Sequence, residues 1–265
     1  MQQTIYDLWN ESVLQLTLPS ADLPVCDEVR WGDAGALFTP AFWKAQLWYA
    51  TNRNQNAYLN YSTGTSLHDE VTACLLGGHG VSSEMAQAAF CQLRDRGLLQ
   101  LGEFRSVSAI ERALRTPMRL QGRTHEIRYR FPHKKSAFIA AALHRLDTET
   151  PPATGAAFRD WLRTFDGIGW KTASWITRNW THSNAVAVID IHVFRAGVIA
   201  GIFGGSESTI AVRYPSLEEA FLKFAAALGE EARRLDVLIW RTMKDSEKLG
   251  LSIFKSVRNR LEAAA

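Results

Sequence analysis

The stretch FDGIGWKTASW, residues 165–175, places Gly167, Gly169 and Lys171 at alternate positions between two segments of helical pattern. Glycine adopts backbone dihedrals that are closed to other residues, so the pair predicts a tight turn between two helices. Amide groups exposed at the start of the second helix form a phosphate site without any side chain. The pattern therefore indicates a helix-hairpin-helix, a motif that holds a DNA backbone without reading its sequence.

Lys171 directly follows Trp170, and Trp175 lies one helical turn later. We expect the two indoles to wall in the ammonium group, and an apolar wall disfavours the charged form of an amine. A neutral amine is a nucleophile, so Lys171 is a candidate catalytic residue. A lysine in this place could equally bind a phosphate, and the hairpin alone does not decide between the two roles.

The segment AVAVIDIHVFRA, residues 185–196, places Asp190 nineteen residues after Lys171. A carboxylate among apolar neighbours is costly to bury unless it is hydrogen-bonded or paired. A helix is predicted to begin near His192, so Asp190 is expected to be the N-cap of that helix. Capping and catalysis are compatible roles for one carboxylate.

Length and composition exclude several classes of protein. The chain has 265 residues, 46% hydrophobic and 22% charged, as in ordinary globular proteins. No run approaches the roughly 18 apolar residues of a membrane helix, and the N-terminus lacks a signal-peptide pattern. We therefore expect a cytoplasmic protein, at the nucleoid in a bacterium or archaeon, or a nuclear one in a eukaryote. Its three cysteines and seven histidines show no metal-binding spacing, so we expect no metal and no cofactor.

Basic residues cluster between Arg105 and Lys135, where nine are opposed by two acidic residues. The nine are Arg105, Arg112, Arg115, Arg119, Arg123, Arg128, Arg130, Lys134 and Lys135. Such a local excess favours a polyanion as partner. A solvated basic face would show the same pattern.

Helical periodicity dominates the chain, and strand-like alternation is sparse, which predicts an all-α protein. One helix is expected after Thr39 with Pro40 in its first turn, and another is expected to be capped by Ser216 in a capping box with Glu219. We expect two helical lobes. Residues 65–184 would form one lobe with the hairpin at about 161–178, and residues 1–64 and 185–265 would form the other.

Five residues match the signature of the helix-hairpin-helix DNA glycosylases, and the chain resembles the lysine-bearing 8-oxoguanine branch of that family. The matching residues are Gly167, Gly169, Lys171, Asp190 and His192. The resemblance implies a glycosylase fold with the hairpin at the cleft between two lobes, without an iron–sulfur cluster. It also implies an enzyme that flips an oxidised guanine out of double-stranded DNA, excises it and cleaves the abasic site. Lys171 would form a Schiff base with the sugar, and Asp190 would stabilise the developing cation.

The resemblance also places a base pocket and DNA contacts. Trp175 and Trp240 would form its walls, Asp236 would read the Watson–Crick edge of the base, and Gln46 is a candidate acceptor for the N7–H of 8-oxoguanine. His79 would fill the gap left by the flipped base. The remaining DNA contacts would be Arg128, Arg130, Lys134, His192 and the two hairpin glycines. The alternatives are core packing for the tryptophans, a surface charge beside Arg233 for Asp236, and an ordinary loop residue for His79.

Two other functions stay open at this point. One is the same enzyme class acting on another modified or oxidised base. The other is a helix-hairpin-helix protein that binds DNA without catalysis, although such a protein has no reason to keep both Lys171 and Asp190. We expect a monomer that binds no membrane.

Overall fold

The computed structural model describes residues 1–55, 65–78, 80–100, 105–120, 125–153 and 155–264. The chain divides into two compact units: Met1–Tyr61 together with His182–Ala265, which we call the terminal unit, and Ser62–Thr181, the central unit. The sequence placed these divisions after residues 64 and 184. The terminal unit is therefore assembled from both ends of the chain.

The described residues are mainly helical, which confirms the predicted fold class. The helices are α1 (Pro40–Asn52), α2 (Leu67–Leu76), α3 (Ser83–Asp95), α4 (Val107–Arg115), α5 (Pro132–Thr148), α6 (Gly155–Leu162), α7 (Trp170–Thr181), α8 (Ile191–Ile199), α9 (Ile210–Ala227), α10 (Ala232–Asp245) and α11 (Glu247–Ala264). Helices α2 to α7 belong to the central unit and the others to the terminal unit. In the part of the chain described, no helix has the length and apolar character needed to cross a bilayer.

Short antiparallel strand pairs accompany the helices. They are β1 (Gln3–Trp9) with β2 (Ser12–Leu18), β3 (Pro24–Cys26) with β4 (Val29–Arg30), and β5 (Met118–Arg119) with β6 (Glu126–Ile127). Only the first pair is long, and sequence analysis did not predict it. The helical content still sets the architecture of both units.

The turn between β1 and β2 lacks the sequence pattern that usually marks a β-hairpin. Asn10 and Glu11 form the turn with φ of +48° and +60°. A two-residue turn of this kind is usually marked by Asn-Gly or Asp-Gly, and a glutamate at the second position gives no such signal. Asp7 on β1 is buried, and Arg53 binds both of its carboxylate oxygens, at 2.7 and 3.2 Å. This ion pair fastens the hairpin to the end of α1.

Two helix starts test the predicted caps. The Thr39 side chain accepts the N–H of Phe42 at 3.1 Å, and Pro40 opens α1, as predicted. The cap predicted at Ser216 is wrong. Helix α9 begins at Ile210 and continues through Pro215, so Ser216 lies inside it and donates its hydroxyl to the carbonyl of Arg213 at 2.9 Å.

The core of the central unit includes the apolar residues of the glycine hairpin. Phe165 and Ile168 are buried in the same cluster as side chains of α2, α4, α5 and α7. Burial of apolar surface is the main favourable term in folding, so the hairpin is anchored by these two residues. Its glycines are thereby held at the surface of this unit.

Arg145 and Glu149, at the end of α5, link that helix to α6 and the hairpin. The Arg145 guanidinium binds Glu149, donates to the Thr164 carbonyl at 2.9 Å and lies 3.9 Å from the centroid of the Phe165 ring. The Trp161 indole N–H donates to Glu149 Oε2 at 2.7 Å. One carboxylate thus connects residues on both sides of the α5–α6 turn.

We predict that acid destabilises the protein in part through Glu149. Hydrogen bonds from Arg145 and then Trp161 lower the pKa of Glu149 from 4.5 to about 2. The unfolded chain therefore binds the proton more tightly, and the stabilisation by Glu149 is complete above pH 4.5 and is lost as the pH falls toward 2. Urea unfolding of Glu149→Gln should show a shallower decline in the free energy of unfolding over this range than wild type.

Glu262→Gln is the matched control, because Glu262 pairs with Arg258 at the same i, i+4 spacing on the exposed side of α11. It should decline with pH as wild type does. Parallel curves for Glu149→Gln and wild type would contradict the prediction.

Candidate active site

The turn between α6 and α7 is shaped by Gly167. Its φ of +82° lies in the left-handed region that favours glycine, and a Cβ there would collide with the ring of Phe138 on α5. Gly169 has open space where a Cβ would be. Its carbonyl accepts the N–H of Ala173 at 2.9 Å, so Gly169 stands at the N-cap of α7 and has no side chain that could cap the first amides.

Lys171 is the second residue of α7, and its side chain is exposed. The Trp170 ring lies instead against two arginines, with the guanidinium carbons of Arg163 and Arg159 at 3.2 and 4.8 Å from its centroid. Guanidinium groups stack on indoles more readily than ammonium groups, because they are planar and more weakly hydrated. The predicted burial of Lys171 between Trp170 and Trp175 is therefore wrong. Trp175 itself is half-buried, with Arg178 at 5.8 Å from its centroid.

A buried polar cluster links α2 to α7 within reach of the charge of Lys171. Asn179 Nδ2 donates to Glu70 Oε1 at 2.6 Å, and both side chains are buried. Burial raises the pKa of the nearby Cys74 thiol well above its ordinary value, and the charge of Glu70 adds to this effect. Arg178 and Lys171 act in the opposite direction. Within the described ranges no group of three Asp, Glu, His or Cys side chains is placed to hold a metal ion.

Asp190 caps α8, as predicted. Its Oδ1 accepts the backbone N–H of both His192 and Val193, at 2.9 Å each. Among the residues that the structure describes, Oδ2 has no hydrogen-bond partner, and the side chain is half-buried. One oxygen of Asp190 therefore fixes the carboxylate to the helix, and the other is available to a ligand.

Asp236 on α10 is fully buried, and its Oδ2 accepts the N–H of Val188 at 2.8 Å. The alternative of a surface charge beside Arg233 is wrong. The burial also argues against Asp236 reading a base, because a carboxylate without exposed surface cannot contact a ligand in this conformation.

The other predicted pocket residues are divided between the units. Trp240 lies one turn after Asp236, is half-buried and has the Lys244 ammonium 4.9 Å from its ring centroid. Gln46 is half-buried on α1, which packs against α10 in the same unit. These residues and Asp190 belong to the terminal unit. Lys171 and Trp175 belong to the central unit.

The predicted DNA-binding cations Arg128, Arg130 and Lys134 are exposed. The Lys134 ammonium lies 5.5 Å from the centroid of the Phe138 ring, the same ring that abuts Gly167. Lys134 and the hairpin are therefore close neighbours on the central unit. Arg130 donates to the Gly80 carbonyl at 3.2 Å, and His79 lies outside the described residues.

Lys135 was counted among the cations available to a polyanion, and this interpretation is wrong. Its ammonium donates to the Gly77 carbonyl at 2.9 Å, and burial lowers its pKa. The Tyr129 hydroxyl donates to the Leu76 carbonyl at 2.6 Å, so both residues cap the end of α2. No signal in the sequence could reveal this role, because the lysine and its acceptor are 58 residues apart.

Ion pairs reduce the basic excess further. Arg105 binds Asp147, and Arg115 binds Glu111 at 2.6 Å. These arginines are partly neutralised within the protein. The charge left for a polyanion is correspondingly smaller than the sequence suggests.

The family model described as "8-oxoguanine DNA glycosylase" matches residues 52–230, more than half of the chain. The chain belongs to this family. The matched range includes the hairpin, Lys171 and Asp190. It excludes Gln46, Asp236 and Trp240, so the match does not bear on the base-pocket roles predicted for them.

Named relatives agree with this membership. The chain is 33% identical over 132 residues to the 8-oxoguanine DNA glycosylase/AP lyase of Thermotoga maritima, and equally to that of Thermotoga petrophila. The aligned residues are 47% of this chain and 62% of each relative. The match thus spans less than two thirds of the length of these relatives.

Solved structures show the same fold. The crystal structure of the 8-oxoguanine DNA glycosylase of Thermotoga maritima has a TM-score of 0.51 at 23% identity and covers 76% of this chain and 95% of its own. The Methanocaldococcus jannaschii 8-oxoguanine glycosylase/lyase, in complex with a 15mer DNA containing 8-oxoguanine, has a TM-score of 0.53 at 18% identity, covering 77% and 98%. At these identities the likeness establishes the fold alone.

We predict that the two hairpin glycines respond differently to alanine. Gly167→Ala should lower the free energy of unfolding by about 1–3 kcal/mol, because it forces a side chain into the left-handed region and against Phe138. Gly169→Ala is the matched control and should change the free energy of unfolding by less than about 1 kcal/mol. Urea unfolding of both variants measures the difference, and equal effects would contradict the geometry of the turn.

Proposed function

We propose that the protein is a DNA glycosylase with abasic-site lyase activity that removes 8-oxoguanine from double-stranded DNA. One combination carries the proposal: a lysine two residues past the N-cap glycine of a helix-hairpin-helix, and an aspartate that caps a helix nineteen residues later. Membership of the 8-oxoguanine DNA glycosylase family supports it. So do the Thermotoga relatives, which are named 8-oxoguanine DNA glycosylase/AP lyase. Such an enzyme works at the chromosome, in the nucleoid or nucleus.

Lys171 is the proposed nucleophile. Its neutral amine attacks C1′ of the flipped nucleotide, the bond from C1′ to N9 breaks, and its electron pair leaves with the base. The departing base takes up the proton that the amine loses, and opening of the sugar ring gives a Schiff base. Loss of a proton from C2′ with departure of the 3′ phosphate then breaks the strand. Because Lys171 is exposed in the free protein, we infer that entry of the nucleotide, rather than the two tryptophans, removes the water that favours the charged amine.

Asp190 is the proposed electrostatic partner of the reacting sugar. Cleavage of the glycosidic bond builds positive charge on the deoxyribose, and a fixed carboxylate stabilises that charge without reorganising. Oδ1 is held by two helix amides, while Oδ2 has no partner among the described residues. We therefore assign the contact with the sugar to Oδ2.

The central unit supplies the proposed grip on DNA. The amides at the start of α7 would bind one phosphate. Lys134 would bind a second phosphate, because its ammonium lies over the Phe138 ring, which also abuts Gly167 of the glycine hairpin. We further propose that Trp175 and Trp240 form the walls of the base pocket. Stacking of a base on an aromatic ring contributes about 1–3 kcal/mol to binding. Gln46 stays the proposed acceptor for N7–H of 8-oxoguanine.

Borohydride trapping tests the proposed chemistry. Wild type, incubated with a duplex that has one 8-oxoguanine opposite cytosine, should give a covalent protein–DNA adduct, because borohydride reduces the Schiff base. Lys171→Gln should give none while retaining duplex affinity. Lys248→Gln, which changes an exposed lysine of α11, is the control and should be trapped like wild type.

The duplex panel separates the alternatives. An adduct only with a preformed abasic site would keep the lyase and reject 8-oxoguanine as substrate, and other modified bases would then be tried. Trapping of Lys171→Gln would reject the nucleophile. The absence of adduct from every duplex with wild type would favour a DNA-binding protein without catalysis.

We also predict that Lys134 binds a phosphate. Release of counterions makes the affinity for duplex DNA fall with salt, and Lys134→Ala should reduce the slope of log K against log salt by about 1. Lys223→Ala is the control, since Lys223 is already paired with Asp27 at 2.7 Å. Fluorescence anisotropy over a range of salt concentrations measures both slopes. An unchanged slope for Lys134→Ala would contradict the assignment.

A further inference from the structure

The residues before Asp190 run through the interior of the terminal unit without regular secondary structure. Residues 186–189 are each at most 5% exposed, and residues 186–190 belong to neither a helix nor a strand. A buried backbone N–H needs an acceptor, and in a sheet a neighbouring strand would supply it. Here side chains accept three of the N–H groups, and the N–H of Asp190 donates to the Val188 carbonyl at 3.2 Å.

Three buried side chains of α9 and α10 bind three consecutive backbone amides of this segment. The pairs are Glu218 Oε1 with the N–H of Ala187 (3.0 Å), Asp236 Oδ2 with that of Val188 (2.8 Å), and the Tyr214 hydroxyl with that of Ile189 (3.1 Å). The Tyr214 hydroxyl also donates to the Ala187 carbonyl at 2.9 Å. The three side chains are 4%, 0% and 1% exposed, respectively. We call them the amide clamp.

We propose that the amide clamp positions Asp190 for cleavage of the glycosidic bond. This inference rests on the proposed function, because it takes Asp190 as the carboxylate that faces the sugar. The clamp fixes the three residues that precede Asp190, and the start of α8 fixes the residue from the other side. A rotation about the backbone of Ile189 would swing the carboxylate, and the hydrogen bond to Tyr214 opposes that rotation.

Apolar packing alone would not give the same precision. Burial of Val186 and Ile189 keeps the segment in the core. Apolar contacts are not directional, so they do not fix the orientation of its backbone. Hydrogen bonds are directional, so those to Glu218, Asp236 and Tyr214 fix the orientation of the backbone as well as its position. Precision matters here, because a misplacement of about 1 Å in a reacting group can slow a reaction about 100-fold.

The role differs from the base-reading role first expected for Asp236. A base reader contacts the substrate and determines which base is accepted. A clamp residue acts through Asp190, so its loss should slow excision of every accepted base by the same factor. The two roles are therefore separable by experiment.

Two variants remove parts of the clamp. Tyr214→Phe loses a hydroxyl that serves two backbone groups but keeps the packed ring, so it is the decisive variant for a folded protein. Asp236→Leu removes the acceptor for Val188, and Asp236→Asn keeps an acceptor oxygen and should restore most of the rate. The control is Asp7→Asn, which changes another buried carboxylate of the terminal unit, 3% exposed and bound to Arg53.

Single-turnover rates should distinguish positioning from general stability. On the duplex with 8-oxoguanine, Tyr214→Phe and Asp236→Leu should slow base excision about tenfold. On a duplex with a preformed abasic site, Lys171 still reacts, and strand cleavage should stay within about twofold of wild type. In an Asp190→Asn background the clamp substitutions should slow excision no further, since a residue that acts through Asp190 has no effect once Asp190 is replaced.

Four results would overturn the amide clamp. If Tyr214→Phe and Asp236→Leu excise the base as fast as wild type while Asp190→Asn is slow, the clamp is rejected and the proposed function is unaffected. Additive effects in the Asp190→Asn background, or equal loss of both reactions with a lowered melting temperature, would indicate a structural role only. An altered preference among lesion bases in Asp236→Asn would return Asp236 to base reading. A wild type without activity on any duplex would reject the proposed function itself.

Discussion

The first amides of an α-helix have no carbonyl of their own helix to bind, and both catalytic candidates depend on that constraint. At α7 the N-cap is Gly169, which brings no side chain to those amides and leaves the position of a Cβ open. At α8 the N-cap is Asp190, which satisfies two amides with one carboxylate oxygen. The unpaired amides at the start of α7 can therefore bind an external anion. Those at the start of α8 bind the carboxylate of Asp190 and fix its position.

Each unit holds its candidate residue by a different kind of contact. In the central unit the turn before Lys171 is set by the left-handed backbone of Gly167 and by the Phe138 ring, so shape determines it. In the terminal unit the segment before Asp190 is not itself a strand, and its backbone amides donate hydrogen bonds to Tyr214 and Asp236 instead of to a sheet neighbour. Both arrangements put functional groups on regular helices, where supporting contacts can fix them closely.

Charge is distributed differently from what residue counts suggest. Lys171 is exposed, whereas Lys135 is largely withdrawn from solvent to cap α2. Trp170, which was expected to bury a lysine, stacks with Arg159 and Arg163. A cation in this protein is therefore available to an external anion only where neighbouring carbonyls and carboxylates do not already bind it. Lys134 beside the glycine hairpin meets that condition better than Lys135.

The sequence by itself determined the local features: the mainly helical fold, the start of α1 at Pro40, and the capping of α8 by Asp190. These depend on residues within a few positions of one another, so periodicity and cap chemistry reveal them. Only the tertiary structure decided the burial of Asp236, the exposure of Lys171 and the joining of the hairpin of β1 and β2 to α1 through Asp7 and Arg53. The physical reason is that a side chain's environment is set by groups distant in sequence, such as Val188 for Asp236, and a local pattern does not specify which of these groups it will meet.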